Sequence, residues 1–157
     1  MADIYSKKRR SEIMAGITSQ DTRPEVRVRS VLHRMGYRFR LHGKGLPGRP
    51  DIVLRKWGVV VLVHGCFWHG HDCCEGHVPK SNTAYWAPKL ENNRRRDAKN
   101  AEALRNLGWK LIVIWECQTY SLKKLEERLH EAMPQAEEEL DMEERRRRRL
   151  SGPSPKA

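Results

Sequence analysis

The fold is decided by residues 50–63, which read PDIVLRKWGVVVLV. Two apolar and mostly β-branched runs, 52–54 and 59–63, are joined around Trp57 and Gly58. Runs of this kind are typical of central strands that are covered on both faces. Residues 111–115 repeat the pattern. The sequence therefore predicts a β-sheet with buried central strands.

Helix signals surround these strands. Asp21 or Thr22 can cap a helix that Gly36 ends, the stretch 83–107 is helical in pattern, and Ser121 can cap a last helix. Residues 37–41 alternate between apolar and basic side chains, which predicts a strand with one solvent-exposed face. This order predicts an α/β fold with a central sheet flanked by helices. The predicted inner faces of the helices are Val28, Val31, Leu32 and Met35; Trp86, Leu90, Ala101, Leu104 and Leu107; and Leu122, Leu125, Leu129 and Met133.

Length and charge narrow the class of protein. A chain of 157 residues has room for one compact domain. The net charge is +11, and because residues 134–157 carry six acids and six bases, the whole excess lies in 1–133. Such an excess favours a polyanionic partner such as nucleic acid over a merely basic protein. No apolar run approaches the roughly 20 residues that span a bilayer, and no signal-like segment follows Met1, so we expect a cytoplasmic protein with no membrane partner.

Cysteine and histidine residues cluster directly after the second buried run. Six of them lie within residues 66–77, and Cys117 follows the later strand. A chain without an export signal should not depend on disulfides, whereas thiolates and imidazoles at this spacing suit a tetrahedral zinc site better than a set of uncommitted thiols. Spacing alone does not separate one histidine or cysteine from its neighbour. The open choices are His69 or His71, and Cys73 or Cys74.

Asp51 lies where a Mg²⁺-dependent nuclease needs a carboxylate. It lies at the start of an apolar strand, directly after a glycine-rich turn. Glu25 lies in the first turn of the first predicted helix, and the next predicted strand is followed by His64. Such enzymes hold the metal ion on a carboxylate at a strand edge and use a base to activate water. The outline resembles the restriction-endonuclease-like fold of the PD-(D/E)xK superfamily. It departs from that signature because Leu62, Val63 and His64 stand where an acid-x-lysine is expected.

Longer motifs carry a more specific resemblance. The chain reads LPGRPD at 46–51, HGCFWHGHDC at 64–73, GW at 108–109 and IWEC at 114–117. Together these motifs resemble the Vsr family of very-short-patch repair endonucleases, over residues 1 to about 130. That family nicks one strand of double-stranded DNA on the 5′ side of the thymine of a T·G mismatch, which arises when 5-methylcytosine is deaminated. The implied architecture is a DNA-embracing arm (1–20), a nuclease domain with a zinc loop (21–133) and a charged tail (134–157).

The resemblance also implies roles for individual residues. Asp51 would bind Mg²⁺ together with the main-chain carbonyl of Val63, where family members often have threonine. His69 would be the general base, oriented by Asp97, while Glu25 and His64 would hold waters on the metal ion. Structural Zn²⁺ would be held by Cys66, His71, Cys73 and Cys117, which leaves Cys74 and His77 unassigned. Without the motif, Glu25 is better explained as a first-turn acid and His64 as a structural residue, and a surface ion pair is the usual explanation for a carboxylate such as Asp97.

Recognition of the mismatch would fall to aromatic side chains and the arm. Aromatic rings can unstack base pairs, and a mismatched pair resists this least. In the family, Phe67, Trp68 and Trp86 intercalate beside the T·G pair, although Trp86 would otherwise pass for helix core. Met14 and Ile17 of the arm would approach the opposite groove. Phosphate contacts are expected from Lys7, Lys8, Arg9, Arg10, the 38–44 segment and Arg94–Arg96.

Two other functions remain compatible with these residues. One is a related restriction-type or other repair endonuclease that acts on matched DNA, and the other is a non-catalytic, zinc-stabilised DNA-binding module. The resemblance favours a bacterial, nucleoid-associated enzyme with mismatch-repair proteins as candidate partners. A single asymmetric lesion requires only a monomer, so we expect a monomer.

Overall fold

The protein folds around a four-stranded mixed sheet with helices on both faces. A computed structural model describes residues 8–9, 11–12, 16, 20–73, 76, 80 and 82–134. This architecture confirms the α/β prediction. In chain order the elements are α1 (Arg23–Arg34), β1 (Arg40–Leu41), β2 (Ile52–Leu54), β3 (Val59–His64), α2 (Cys66–His69), α3 (Thr83–Asn106), β4 (Lys110–Trp115), a 3₁₀ turn (Glu116–Thr119) and α4 (Leu122–Ala132).

The strand directions bring the chemistry to one edge of the sheet. The strand order is β1-β2-β3-β4, with β1–β2 and β2–β3 antiparallel and β3–β4 parallel. The start of β2, which follows Asp51, therefore lies beside the end of β3. The end of β4 lies there too, because His64 is paired with Trp115. We term this side of the sheet the upper edge.

The main core fills the face of the sheet covered by α1 and α4. It is built from apolar side chains of both helices, such as Leu32 and Leu129, packed on β2, β3 and β4. The opposite face is covered by α3 and holds a smaller cluster of Val53, Val60 and Leu104. Since β2 and β3 contribute to both clusters, the prediction that these strands are buried on both faces is confirmed.

The predicted helix ends are also confirmed. The hydroxyl of Thr22 caps α1 by accepting from the Glu25 amide, and Gly36 follows the helix with φ +92°. At α4 the Ser121 hydroxyl accepts from the Lys124 amide. The α1 cap orients the first turn so that the Glu25 side chain is buried at the upper edge.

Three local predictions were wrong. The strand predicted over 37–41 is only Arg40–Leu41, which pairs with Val53 and Ile52 of β2. Tyr37 lies beyond this pairing and packs against Trp57 in the turn after β2. Leu107 and Leu122 are 50% and 47% exposed, since they lie at helix ends. β4 is an edge strand, and its side chains alternate instead of being buried throughout.

The arm and tail lie mostly outside the described residues. Lys8 and Arg9 are described and exposed, and Arg9 forms an ion pair with Glu12 at 3.3 Å. Predictions for Lys7, Arg10, Met14, Ile17, Cys74, His77 and residues 135–157 fall outside the described part of the chain. Within that part, no helix is long and apolar enough to cross a membrane.

Candidate active site and metal centre

A cavity of about 740 Å³ opens at the upper edge of the sheet. Five separate segments of the chain contribute acids and histidines to its lining. The start of α1, the residue before β2, the end of β3 with α2, the middle of α3 and the residue after β4 all meet there. The titratable side chains concerned are Glu25, Asp51, His64, His69, Asp97 and Glu116.

Asp51 is held at the N-terminal end of β2 by a hydrogen bond from the neighbouring strand β3. The backbone amide of Val63 donates a hydrogen bond of 2.7 Å to Asp51 Oδ2. Burial raises the pKa of Asp51 to about 6, and the charge of Glu25 acts in the same direction, while the Val63 amide opposes both. A half-buried carboxylate of this kind becomes fully ionised near neutral pH most readily when a cation lies beside it.

His69 and Asp97 form a hydrogen-bonded pair across two helices. Nδ1 of His69, at the end of α2, lies 2.5 Å from Oδ2 of Asp97 in α3. Both side chains are about four-fifths buried, at 22% and 20% exposed. The alternative of a surface ion pair between Asp97 and its arginine neighbours does not hold, because those arginines contact other groups. Arg94 donates to the Gly70 carbonyl, Arg95 to Glu91 and Arg96 to Asn93.

His64 lies flat against His69. The two imidazole rings are 4.0 Å apart and nearly parallel, with an interplanar angle of 7°. Burial lowers the pKa of His64 to about 4, and His69 adds to this effect, so the ring is held neutral. Ligand atoms of His64, His69 and Asp97 lie within 4.8 Å of one another. Stacked rings point their lone pairs along parallel planes, however, so they are poorly arranged to converge on one ion.

Glu25 both caps α1 and lines the cavity. Its Oε1 accepts from the Thr22 hydroxyl at 2.9 Å, and its Oε2 accepts from the Asp21 amide at 3.0 Å and from Arg29 Nη2 at 2.9 Å. Glu25 is 4% exposed. The residue therefore combines the helix-end role and the cavity position that the sequence left as alternatives.

A second cluster lies beside the cavity, where β3 and β4 end. The ligand atoms of Cys66, His71, Cys73 and Cys117 all lie within 4.8 Å of one another. Nδ1 of His71 is 3.6 Å from Cys66 Sγ and 3.5 Å from Cys117 Sγ. Tetrahedral zinc with its usual bond lengths would separate nitrogen and sulfur by about 3.5 Å, so this donor set fits the ion.

The parallel pairing of β3 and β4 explains how residues so far apart in sequence reach this cluster. Cys66 follows β3 and Cys117 follows β4, and the Cys117 amide donates to Cys66 Sγ at 3.5 Å. Burial raises the pKa of the Cys66 thiol to about 12, so its thiolate form needs a cation beside it. The structure groups His71 with the thiols and His69 with Asp97, a separation that spacing alone did not provide.

Aromatic side chains of α2 and α3 contact one another. Phe67 contacts Trp68 and Trp86 edge-on, with ring centroids 5.0 and 5.3 Å apart. Trp86 is half-buried against Phe67 and belongs to neither core cluster. Asn93 of α3 donates to the Trp68 carbonyl at 3.2 Å and so fixes the loop on the helix. We term Phe67, Trp68 and Trp86 the aromatic cluster.

Comparison with known proteins agrees with this site. The family model for "DNA mismatch endonuclease Vsr" matches residues 2–75. The chain is 40% identical over 125 residues to the DNA mismatch endonuclease Vsr of Escherichia coli K12, covering 80% of each chain. This chain belongs to the DNA mismatch endonuclease Vsr family.

Other Vsr-like relatives carry the name of nicking enzymes. The chain is 52% identical over 129 residues to the type II nicking enzyme V.XorIIP of Xanthomonas oryzae pv. oryzae, covering 82% of this chain and 95% of that protein. It is 47% identical over 130 residues to the type II nicking enzyme V.NmeAIP of Neisseria meningitidis serogroup A, covering 83% and 93%. Both similarities extend over nearly the whole length of these proteins.

Sequence reasoning missed several residues of the site in this Vsr-family chain. Arg29 pairs with buried Glu25, and the i,i+4 spacing could have indicated it. Lys89 places its ammonium over the rings of Tyr85, Trp86 and Trp68 at 5.2, 5.5 and 5.6 Å. Its position three and four residues after two aromatics on α3 was the available signal. Glu116 lines the cavity; it stands in the IWEC motif, which gave it no role.

Proposed function

We propose that this Vsr-family endonuclease nicks one strand of double-stranded DNA on the 5′ side of the thymine in a T·G mismatch produced by deamination of 5-methylcytosine. One observation carries the proposal. Asp51 and the His69–Asp97 pair line a single cavity, and the aromatic cluster adjoins it through Trp68. A nuclease of this kind needs its phosphodiester chemistry and its mismatch probe within one contact surface.

Mg²⁺ is the proposed catalytic ion, held by Asp51 and the main-chain carbonyl of Val63. Oxygen ligands suit this ion, and the half-buried carboxylate of Asp51 beside the buried Glu25 makes a cation favourable at this place. When bound, Mg²⁺ polarises the scissile phosphate and stabilises the charge that develops on it. Glu25 and His64 line the same cavity at positions from which they would order water around the ion.

His69 is the proposed general base. Its Nδ1 is engaged by Asp97, so the neutral ring can present Nε2 to an attacking water and accept its proton. The water oxygen then bonds to phosphorus while the bond between phosphorus and the 3′ oxygen breaks. The 3′ oxygen takes up a proton from solvent, which leaves a 3′ hydroxyl and a 5′ phosphate at the nick. Asp97 keeps the ring oriented and stabilises the imidazolium that forms. The imidazole of His64 stacks on one face of the His69 ring and limits its rotation.

Zn²⁺ is the proposed structural ion of the Cys66, His71, Cys73 and Cys117 cluster. A closed site with four protein ligands leaves no position for substrate, which is typical of structural rather than catalytic zinc. The site would anchor α2, which carries His69 together with Phe67 and Trp68 of the aromatic cluster. We further propose a variant of the PD-(D/E)xK fold, in which Asp51 keeps its place and the end of β3 substitutes for the acid-x-lysine.

Recognition of the lesion is assigned to the aromatic cluster and the arm. Insertion of the rings beside a T·G pair costs less than insertion beside a matched pair, so deformation contributes to selectivity. The arm, residues 1–20, would embrace the duplex with Met14 and Ile17, and the basic residues 7–10 would bind phosphates. The nuclease domain would span 21–133 and the charged tail 134–157. A monomer suffices for one asymmetric lesion.

The test uses duplexes that differ by one base pair, T·G against C·G and T·A, in a panel of methyltransferase-site contexts. Both strands are labelled, and wild type and Asp51→Ala are incubated with Mg²⁺. We expect a nick in the T strand of the mismatch alone, and only with Asp51 present. Cleavage of both strands in matched DNA would establish a restriction-type enzyme instead. Tight mismatch binding without cleavage by wild type would establish a non-catalytic binding module.

A further inference from the structure

His64 lines the proposed catalytic cavity. No described residue forms a hydrogen bond with its imidazole, whereas His69 beside it is fixed by Asp97. An imidazole that acts beside a reacting phosphate has to be held in one orientation, because misplacement by about 1 Å can lower a rate by roughly a hundredfold. The orientation of His64 must therefore come from the rings packed around it.

Trp115 packs against the same imidazole. It is the last residue of β4 and is paired with His64 across the parallel strands, so both backbones are fixed by the sheet. The edge of one ring meets the face of the other at 5.3 Å and 73°. His64 therefore contacts two aromatic rings, the indole of Trp115 and the parallel imidazole of His69 at 4.0 Å.

The indole of Trp115 also stacks on His71, a member of the Cys66–His71–Cys73–Cys117 cluster. Its ring lies 4.3 Å from that of His71, at an interplanar angle of 12°, which is a face-to-face stack. His71 presents Nδ1 to the thiols of Cys66 and Cys117, so its ring plane is set by that cluster. Four rings in series, His71, Trp115, His64 and His69, therefore join the cysteine cluster to the Asp97 carboxylate.

We propose that Trp115 is a positioning residue that transmits the geometry of the Cys66–His71–Cys73–Cys117 cluster to His64. The proposal rests on the proposed function, because it assigns His64 to the site of strand cleavage. It gives the cluster a second role beyond stabilising the loop, since the orientation of His71 sets that of the indole and the indole sets that of His64. Loss of the indole should then impair cleavage while DNA binding and metal content persist.

The experiment compares full-length wild type with Trp115→Leu, Trp115→Phe and Trp57→Phe. Trp57→Phe is the matched control, because Trp57 packs on the main core with Tyr37 in the turn after β2, at the end of that strand opposite Asp51. For each protein we would measure zinc content, affinity for a T·G duplex, the single-turnover nicking rate and the imidazole NMR signals of His64. The last readout reports ring orientation independently of activity.

We expect Trp115→Leu to keep its zinc and its affinity while nicking falls by at least about tenfold and the His64 signals move. Trp115→Phe, which keeps an aromatic ring, should recover most of the rate, and Trp57→Phe should match wild type. An unchanged rate in Trp115→Leu, or a rate that falls only in proportion to lost zinc, would overturn the proposal.

Two further observations keep the test decisive. If Trp115→Leu does not fold, nuclear Overhauser contacts from the Trp115 indole to both His64 and His71 are expected in wild type, and their absence would refute the assignment. If wild type itself fails to nick the T·G duplex, the proposed function fails. The contacts and the His64 shifts still report on the ring series in that case, so the two failures are distinguishable.

Discussion

The backbone amide of Val63 and the carboxylate of Asp51 are joined by a hydrogen bond of 2.7 Å. This bond ties the residue before β2 to the end of β3 and places a half-buried carboxylate beside Glu25. Burial together with the charge of Glu25 outweighs the bond, so the pKa of Asp51 rises from its ordinary value to about 6. The site is thus built at a cost in stability that a cation would relieve.

Asp51→Asn should stabilise the protein in buffer without added Mg²⁺. Because the pKa of Asp51 in the folded state, about 6, exceeds its ordinary value of 3.8, the folded protein binds the proton more tightly. The unfolding free energy of wild type should therefore fall as pH rises from about 4 to about 6. Asparagine can still accept from Val63 and carries no charge, so above pH 6 the variant should gain on the order of 3 kcal/mol. Urea unfolding at several pH values measures the difference. A gain that is already complete at pH 4 would contradict this explanation.

Asp97→Asn should impair nicking without loss of DNA binding. An amide can donate to Nδ1 of His69 and thereby favour the wrong tautomer, so the base would lose its accepting nitrogen. We expect the single-turnover rate to fall by about 10²- to 10⁴-fold, the range for general-base catalysis. Glu102→Gln, an exposed acid on the same helix, is the control and should behave as wild type. Equal rates for the two variants would remove Asp97 from the site.

Cys117→Ser should lower both zinc content and stability. Free energy of zinc binding is free energy of folding at such sites, so loss of one thiolate is expected to cost on the order of several kcal/mol. Thermal unfolding and zinc analysis of the purified protein provide the measurement. Cys74→Ser removes the thiol that follows Cys73 in the sequence and has no assigned role. This control variant should retain both properties. An unchanged melting curve for Cys117→Ser would exclude Cys117 as a ligand.

Trp86→Ala should weaken binding of the T·G duplex more than binding of matched DNA. Stacking of a base on an aromatic ring is worth about 1–3 kcal/mol, which corresponds to roughly a 5- to 150-fold rise in Kd for the mismatch. Fluorescence of 2-aminopurine beside the mismatch would report unstacking directly. Trp57→Phe removes a tryptophan of the main core and should leave the signal unchanged. Equal losses on both duplexes would show that Trp86 contributes affinity without selectivity.

The sheet and the helix ends could be predicted because short stretches of sequence determine them. The runs 52–54 and 59–63 are apolar on both faces, and Thr22, Gly36 and Ser121 act on groups within a few residues. The prediction of a strand over 37–41 was wrong for the opposite reason. The length of that strand depends on its pairing with β2, and alternation within the segment carries no information about that.

The site could be predicted only in part from residue patterns. Composition indicated a metal cluster and a strand-edge carboxylate, but the choice between His69 and His71 depends on contacts with Asp97 and Cys117, which are 28 and 46 residues away. The resemblance to the Vsr family supplied that division, and the structure groups the side chains accordingly. Glu116 and the ring series through Trp115 depend on the parallel pairing of β3 and β4, which neither motif nor composition expresses.

The most direct test of the account is the single-turnover nicking rate of His69→Ala on a labelled T·G duplex, with DNA affinity and zinc content measured on the same sample. We expect nicking of the T strand to fall by about 10²- to 10⁴-fold while affinity and zinc are retained. Nicking at the wild-type rate would contradict the assignment of the base. Loss of zinc together with binding would instead place His69 in the metal cluster and contradict its pairing with Asp97.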